Sequence, residues 1–209
     1  SMPLGDGQIS IAISPDGTHV AYVMERQNVP ELHVHALDQL EGTPIPHTDG
    51  AFGPFFSPDG RWVGFFAGNK LKKVAVSGGS PIDICAAPNP YGGSWGTDGT
   101  ILFAADEGRR PMTIPDTGRV PQPVVMKDDR GSWTQPVLLP GGKSAIVSHT
   151  GGGGVLSLDT GEYRMLVENG GDGRYAPSGH LVFARGGALL AVPFDLERLL
   201  TIGADDPDA

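Results

Sequence analysis

Apolar residues fall in short runs along the whole chain, broken every few positions by Gly, Pro, Asp or Asn. Period-two runs of this length predict β-strands, and no stretch of ten or more residues carries a helical apolar period. The nearest to one, 195–200, is a single polar-apolar turn. Five turn sequences punctuate the pattern: Ser14-Pro15-Asp16-Gly17, Ser57-Pro58-Asp59-Gly60, Gly96-Thr97-Asp98-Gly99, Leu139-Pro140-Gly141-Gly142 and Ala176-Pro177-Ser178-Gly179. Their starts lie 43, 39, 43 and 37 residues apart. Strands are predicted on both sides of each turn, at 9–14 and 19–24, 55–56 and 62–66, and then 101–105, 144–148 and 181–184. A third follows in each unit at 32–37, 71–76, 112–114, 155–158 and 189–192. A fourth is legible at 43–46, 81–85, 120–126 and 163–167, and in the fifth unit none is.

The turn chemistry explains the repeat. Pro15, Pro58, Pro140 and Pro177 preset φ for the first central position of a tight turn, and Asp16, Asp59, Asp98 or Ser178 suits the next. Gly17, Gly60, Gly99, Gly142 and Gly179 then take the left-handed conformation that closes a bulged hairpin. One unit of four short strands per ~40 residues is the signature of a propeller blade. The predicted fold is therefore all-β: one propeller domain over 1–209 with about five four-stranded antiparallel blades. The blades span approximately 5–49, 50–88, 89–129, 130–170 and 171–203, and 204–209 form an acidic tail.

Composition narrows the function. Glycine (32) and proline (19) together make about a quarter of the 209 residues, and their fixed period assigns them to turns rather than to low complexity. Net charge is −9, and the longest cation runs are Lys72-Lys73 and Arg109-Arg110. Phosphate backbones and anionic membrane surfaces require clustered cations, so neither is an expected partner. No apolar stretch approaches the ~20 residues of a membrane span. Ser1-Met2 resembles a cloning remnant, which leaves compartment and targeting open. The single cysteine, Cys85, sits in an apolar run and is expected as a small buried hydrophobe.

Several groups mimic chemical motifs. Gly92-Gly93-Ser94-Trp95-Gly96 satisfies Gly-x-Ser-x-Gly, but a nucleophile elbow needs a helix next, and here a blade turn and strand follow. Gly171-Asp172-Gly173-Arg174 imitates a dinucleotide fingerprint without the following helix. His33 and His35 share one face of a strand with no third metal ligand nearby. Asp128-Asp129 reads as a solvated corner rather than a calcium loop. No catalytic residue, metal or cofactor is assigned.

Longer strings carry a family likeness. The Ser-Pro-Asp-Gly turns resemble the TolB-like, WD-like propeller repeat, as do the run Phe55-Phe56-Ser57-Pro58-Asp59-Gly60-Arg61-Trp62-Val63-Gly64-Phe65-Phe66 and residues 70–74, 139–142, 175–181 and 191–195. They are similar to the propeller that follows the kinase domain in many bacterial eukaryotic-like serine/threonine kinases. The resemblance spans roughly residues 4–203 and implies a binding propeller. It carries no kinase activity, since no glycine-rich loop with a strand lysine, His-Arg-Asp or Asp-Phe-Gly is present. There are two departures. Such propellers commonly continue into a sixth blade, and the third blade here reads Arg109-Arg110-Pro111 where the family usually places an aromatic and a Gly-Gly turn.

Propeller topology puts the five tight turns on one face and the inter-blade connections on the other. That second face holds Tyr91, Arg110, Arg130, Trp133, Arg174 and Tyr175, an aromatic and arginine set suited to recognition. Trp133 and Tyr175 also begin inner strands and can pack between blades instead. The expectation is a non-catalytic sensor or protein-interaction propeller of a larger signalling protein, binding a protein or small molecule. A lactonase- or lyase-type propeller enzyme, or the gating propeller of a peptidase, is the alternative. With the fifth unit lacking an outer strand, an arc completed by a second copy as a homodimer is expected over a directly closed ring.

Overall fold

A computed structural model describes residues 11–105, 110–127 and 131–203. Twenty strands form five sheets of four, each antiparallel and ordered as it runs in sequence. Blade 1 holds β1 (Ile11–Ile13), β2 (His19–Arg26), β3 (Val29–Ala36) and β4 (Thr43–Pro44). Blade 2 holds β5 (Phe52–Phe56), β6 (Trp62–Ala67), β7 (Lys70–Ala75) and β8 (Ile82–Ala86). In blade 3 they are β9 (Gly93–Trp95), β10 (Thr100–Ala105), β11 (Arg110–Pro115) and β12 (Gln122–Pro123). Blade 4 comprises β13 (Thr134–Leu138), β14 (Ser144–His149), β15 (Gly152–Ser157) and β16 (Tyr163–Glu168). Blade 5 comprises β17 (Gly171–Ala176), β18 (His180–Arg185), β19 (Ala188–Asp195) and β20 (Leu200–Thr201). The blades stand in a ring, a five-bladed β-propeller, with no helix among the described residues.

All five turns between first and second strands have the expected form. Gly17, Gly60, Gly99, Gly142 and Gly179 have φ of 70, 69, 82, 70 and 78°. Each donates its amide to the carbonyl three residues back, as Gly17 does to Ser14 at 2.9 Å. In the two Ser-Pro-Asp-Gly turns a side-chain knot is added. Ser14 Oγ donates to Asp16 Oδ1 at 2.6 Å and accepts from the His19 amide at 2.8 Å, and Ser57 repeats the pattern with Asp59 and Trp62.

The expectation that blade 5 lacks an outer strand is corrected. Asp195 Oδ1 accepts from the amides of Glu197 and Arg198, both at 2.8 Å, and Leu199 is left-handed at φ 56°. That turn reverses the chain, so Leu200 and Thr201 pair back onto Asp195 and Phe194. The single polar-apolar turn expected at 195–200 is this loop clamp. In blade 3 the outer strand expected over 120–126 shortens to Gln122–Pro123.

Alternation along the strands packs blades 2, 3 and 4 against a neighbour on each face. In β6, Val63, Phe65 and Ala67 join the apolar cluster shared with Leu32 and Val34 of blade 1. Phe66 turns the other way, into a cluster with Trp95, Ile101 and Phe103 of blade 3. Trp133, Ala145 and Leu156 meet Leu102 at the junction of blades 3 and 4, and Ile146 and Val155 meet Leu181 and Phe183 at that of blades 4 and 5. Four junctions thus have a buried cluster. Among the described residues none spans the fifth, between blades 5 and 1. The flanks facing it leave Ile11, Ile13 and Met24 at 58, 65 and 45% exposure on one side and Leu189 at 76% on the other.

Candidate functional site: the axial cavity

The innermost strands surround an axial cavity of about 600 Å3, to which all five blades contribute. Its shape follows from one recurrent backbone feature. Four residues before the first turn residue stand Gly53, Gly92, Gln135 and Asp172, with φ of 57, 92, 51 and 53°. In blades 2, 4 and 5 this residue sits in a bulge that shifts the pairing register of the inner strand. A bulge twists the strand and re-aims the side chains beyond it. Two residues further on, Ala12, Phe55, Ser94, Val137 and Arg174 occupy one equivalent position, and all five line the cavity.

The walls are held by bonds between successive blades. Ser94 Oγ accepts the Leu138 amide at 2.9 Å, and the Gln135 amide donates to the Tyr91 carbonyl at 2.7 Å, both across blades 3 and 4. The Asp172 amide donates to Ser148 Oγ at 3.0 Å across blades 4 and 5. The lining is mainly apolar, with Ile11, Ile13, Phe52, Phe55 and Val137, and its charged members are Asp172 and Arg174. The Arg174 guanidinium donates to the Gly173 carbonyl at 3.0 Å. Burial pushes its pKa down, and Asp172 opposes that shift in part.

Among the described residues expected on the inter-blade loop face, Arg174 is the one that lines the cavity. Trp133 is buried, with its ring stacked on His149 at 3.9 Å and edge-on to Tyr163 at 5.0 Å, so it serves the junction of blades 3 and 4. Tyr175 lies edge-on to Phe194 at 6.0 Å and packs in the cluster between blades 4 and 5. Tyr91 is half-buried before β9, and Arg110 is exposed where β11 pairs with Ala105. Arg130 and Asp128-Asp129 lie outside the described residues. Among the described residues, these side chains do not converge on one patch.

The motif mimics resolve as structure. Ser94 lies in β9 and is followed by the turn at 96–99 and β10, so no elbow forms. Residues 171–176 are strand β17. His33 is buried against the Tyr22 ring at 5.3 Å, His35 Nε2 lies 2.9 Å from the Gln39 carbonyl, and no group of three potential metal ligands occurs among the described residues. Cys85 is half-buried, and desolvation pushes its thiol up to about 11. The cavity ring itself escaped the loop-based reading. Its signal was the equivalent column of Ala12, Phe55, Ser94, Val137 and Arg174 in the aligned repeats, where one charged residue stands among small and apolar ones.

No family model and no curated protein matches this chain. Solved structures do. TolB from Acinetobacter baumannii superposes with a TM-score of 0.73 at 18% identity, covering 92% of this chain and 52% of that one. A putative TolB from Agrobacterium tumefaciens gives 0.69 at 16% identity, over 91% and 78% of the two chains. An oligogalacturonate lyase in complex with manganese gives 0.66 at 14% identity, over 91% and 62%. This chain therefore spans about half the length of the A. baumannii TolB. Likeness at this identity supports a TolB-like propeller fold, and the neighbours include both non-enzymes and enzymes.

Proposed function

We propose that the chain is a non-catalytic binding propeller whose ligand enters the axial cavity, serving as the sensor or interaction part of a larger signalling protein. The cavity carries the reading: about 600 Å3 lies within the size range of small-molecule sites and is mainly apolar with a few convergent polar groups. The resemblance to kinase-linked and TolB-type propellers supports the signalling context. The likeness to a lyase is one of fold, and fold does not carry activity.

An NMR fragment screen of aryl and alkyl acids, amides and alcohols tests this reading. Shifts are expected at the amides of Phe55, Ser94, Val137 and Arg174. Shifts confined to the loops at 25–28, 47–50 and 150–154 would return the site to the inter-blade face and overturn it.

A further inference from the structure

We propose that Arg174 is the anchor for a carboxylate, so that the cavity takes a small organic acid with an apolar body. The inference rests on the cavity being the binding site and adds the chemical class of its ligand.

The repeat supplies the argument. At the positions equivalent to Arg174 the other blades use Ala12, Phe55, Ser94 and Val137, so nothing in blade architecture calls for a cation there. A guanidinium stays protonated and carries five donors. Among the described residues, one carbonyl, that of Gly173, is its hydrogen-bond partner, and no carboxylate lies within ion-pair distance. Burying a charge without a counter-charge is unfavourable, and an incoming anion removes that cost. The planar fork of arginine matches a carboxylate in two parallel bonds.

The surroundings set the rest of the ligand. Phe52, Phe55, Val137 and Ile13 offer apolar wall to an aryl or alkyl body. Asp172 lies two residues away on the same rim, exposed, and its field reaches Arg174 without forming an ion pair. It competes weakly for the guanidinium and disfavours polyanions. With a chain charge of −9, long-range attraction gives no help, so recognition rests on local contact.

Hydrocinnamate and its neutral isostere hydrocinnamide, titrated by NMR into the parent chain, make the test. The acid should bind at least about tenfold more tightly than the amide, the scale of a charge-assisted contact. Arg174→Gln should bring the acid down to the level of the amide, and Arg174→Lys should retain part of the preference. Asp172→Asn should tighten the acid about two- to threefold and leave the amide unchanged, a response that a purely structural arginine would not give. Arg174→Val, which copies the residue of blade 4, is a second variant should glutamine perturb folding. Equal binding of acid and amide, with shifts at the cavity amides, would overturn the anchor and leave the cavity reading intact. Shifts away from the cavity would overturn both. Absence of binding by either probe at about 10 mM, weaker than any useful site, would overturn the anchor.

Discussion

Ser94 Oγ accepts a hydrogen bond from the Leu138 amide at 2.9 Å, tying the inner strand of blade 3 to that of blade 4. The serine at the centre of a Gly-x-Ser-x-Gly string thus serves an inter-blade joint. Ser94→Ala strands a partly buried amide and should cost about 1–3 kcal/mol in chemical denaturation. A serine-directed fluorophosphonate should leave Ser94 unlabelled. Stoichiometric labelling of Ser94, or an unchanged denaturation midpoint for the variant, would contradict that role.

Gly17 and Gly60 separate backbone strain from crowding. Both are left-handed, and a Cβ at either would meet no atom within 4 Å. Changing either to valine should cost on the order of 1–2 kcal/mol through φ alone. Gly161 is also left-handed, but a Cβ there would stand 2.1 Å from the Val125 carbonyl oxygen. Gly161→Ala should therefore be more damaging than alanine at Gly17 or Gly60, and equal losses at all three would refute the distinction.

The serine-aspartate knots predict an acid titration. The Ser14 hydroxyl and the Thr18 amide and hydroxyl hold Asp16 at about 2 against an ordinary 3.8, and the Ser57 hydroxyl with the Arg61 amide and side chain does the same for Asp59. A depressed carboxylate pKa contributes stability that is present above the unfolded value and is lost as pH falls through the folded one. The window is therefore from about pH 4 down to about 2, and exposure of both groups keeps the effect small. Carboxyl carbon NMR should place both midpoints near 2, with Ser14→Ala raising Asp16 and Ser57→Ala raising Asp59. Midpoints near 3.8 in the parent chain would show that the knots do not form.

Periodicity made the blades legible, because each tight turn needs Pro, Asp and Gly in a fixed order and the strands between turns are short and apolar. β20 was not legible, because Leu200–Thr201 is two residues long and depends on the Asp195 side chain to reverse the chain. The inner strands β9 and β13 were hard to read for a related reason. Gly93-Ser94-Trp95 and Thr134-Gln135-Pro136 carry little apolar pattern, and their strand character comes from pairing with β10 and β14. Trp133 satisfies a composition argument for recognition and also begins an inner strand, and it packs in the junction of blades 3 and 4. The loop position of Arg174 is legible in the sequence, whereas the bulge at Asp172, beyond which its side chain lines the cavity, is not.

Blades 1 and 5 each pack one face in a buried cluster, and the other faces meet no comparable partner among the described residues. Leu181 shows the sealed side and Leu189 the open one: the first is 2% exposed in the cluster with blade 4, and the second is 76% exposed on the opposite flank of the same blade. Truncating a buried leucine leaves a cavity, so Leu181→Ala should cost about 2–5 kcal/mol. Leu189→Ala removes nothing packed and should stay within about 0.5 kcal/mol. Because β20 completes blade 5 from within the chain, strand exchange is not needed to finish the sheet, and the ground for association reduces to these apolar flanks. Light scattering across a concentration series, run beside the denaturation curves, makes the comparison sharp. A large, concentration-dependent loss on Leu189→Ala, with a mass above 21.8 kDa for the parent, would mean that the flank is buried by a second copy. A large loss that is independent of concentration, at monomer mass, would mean that blades 5 and 1 close on one another in solution.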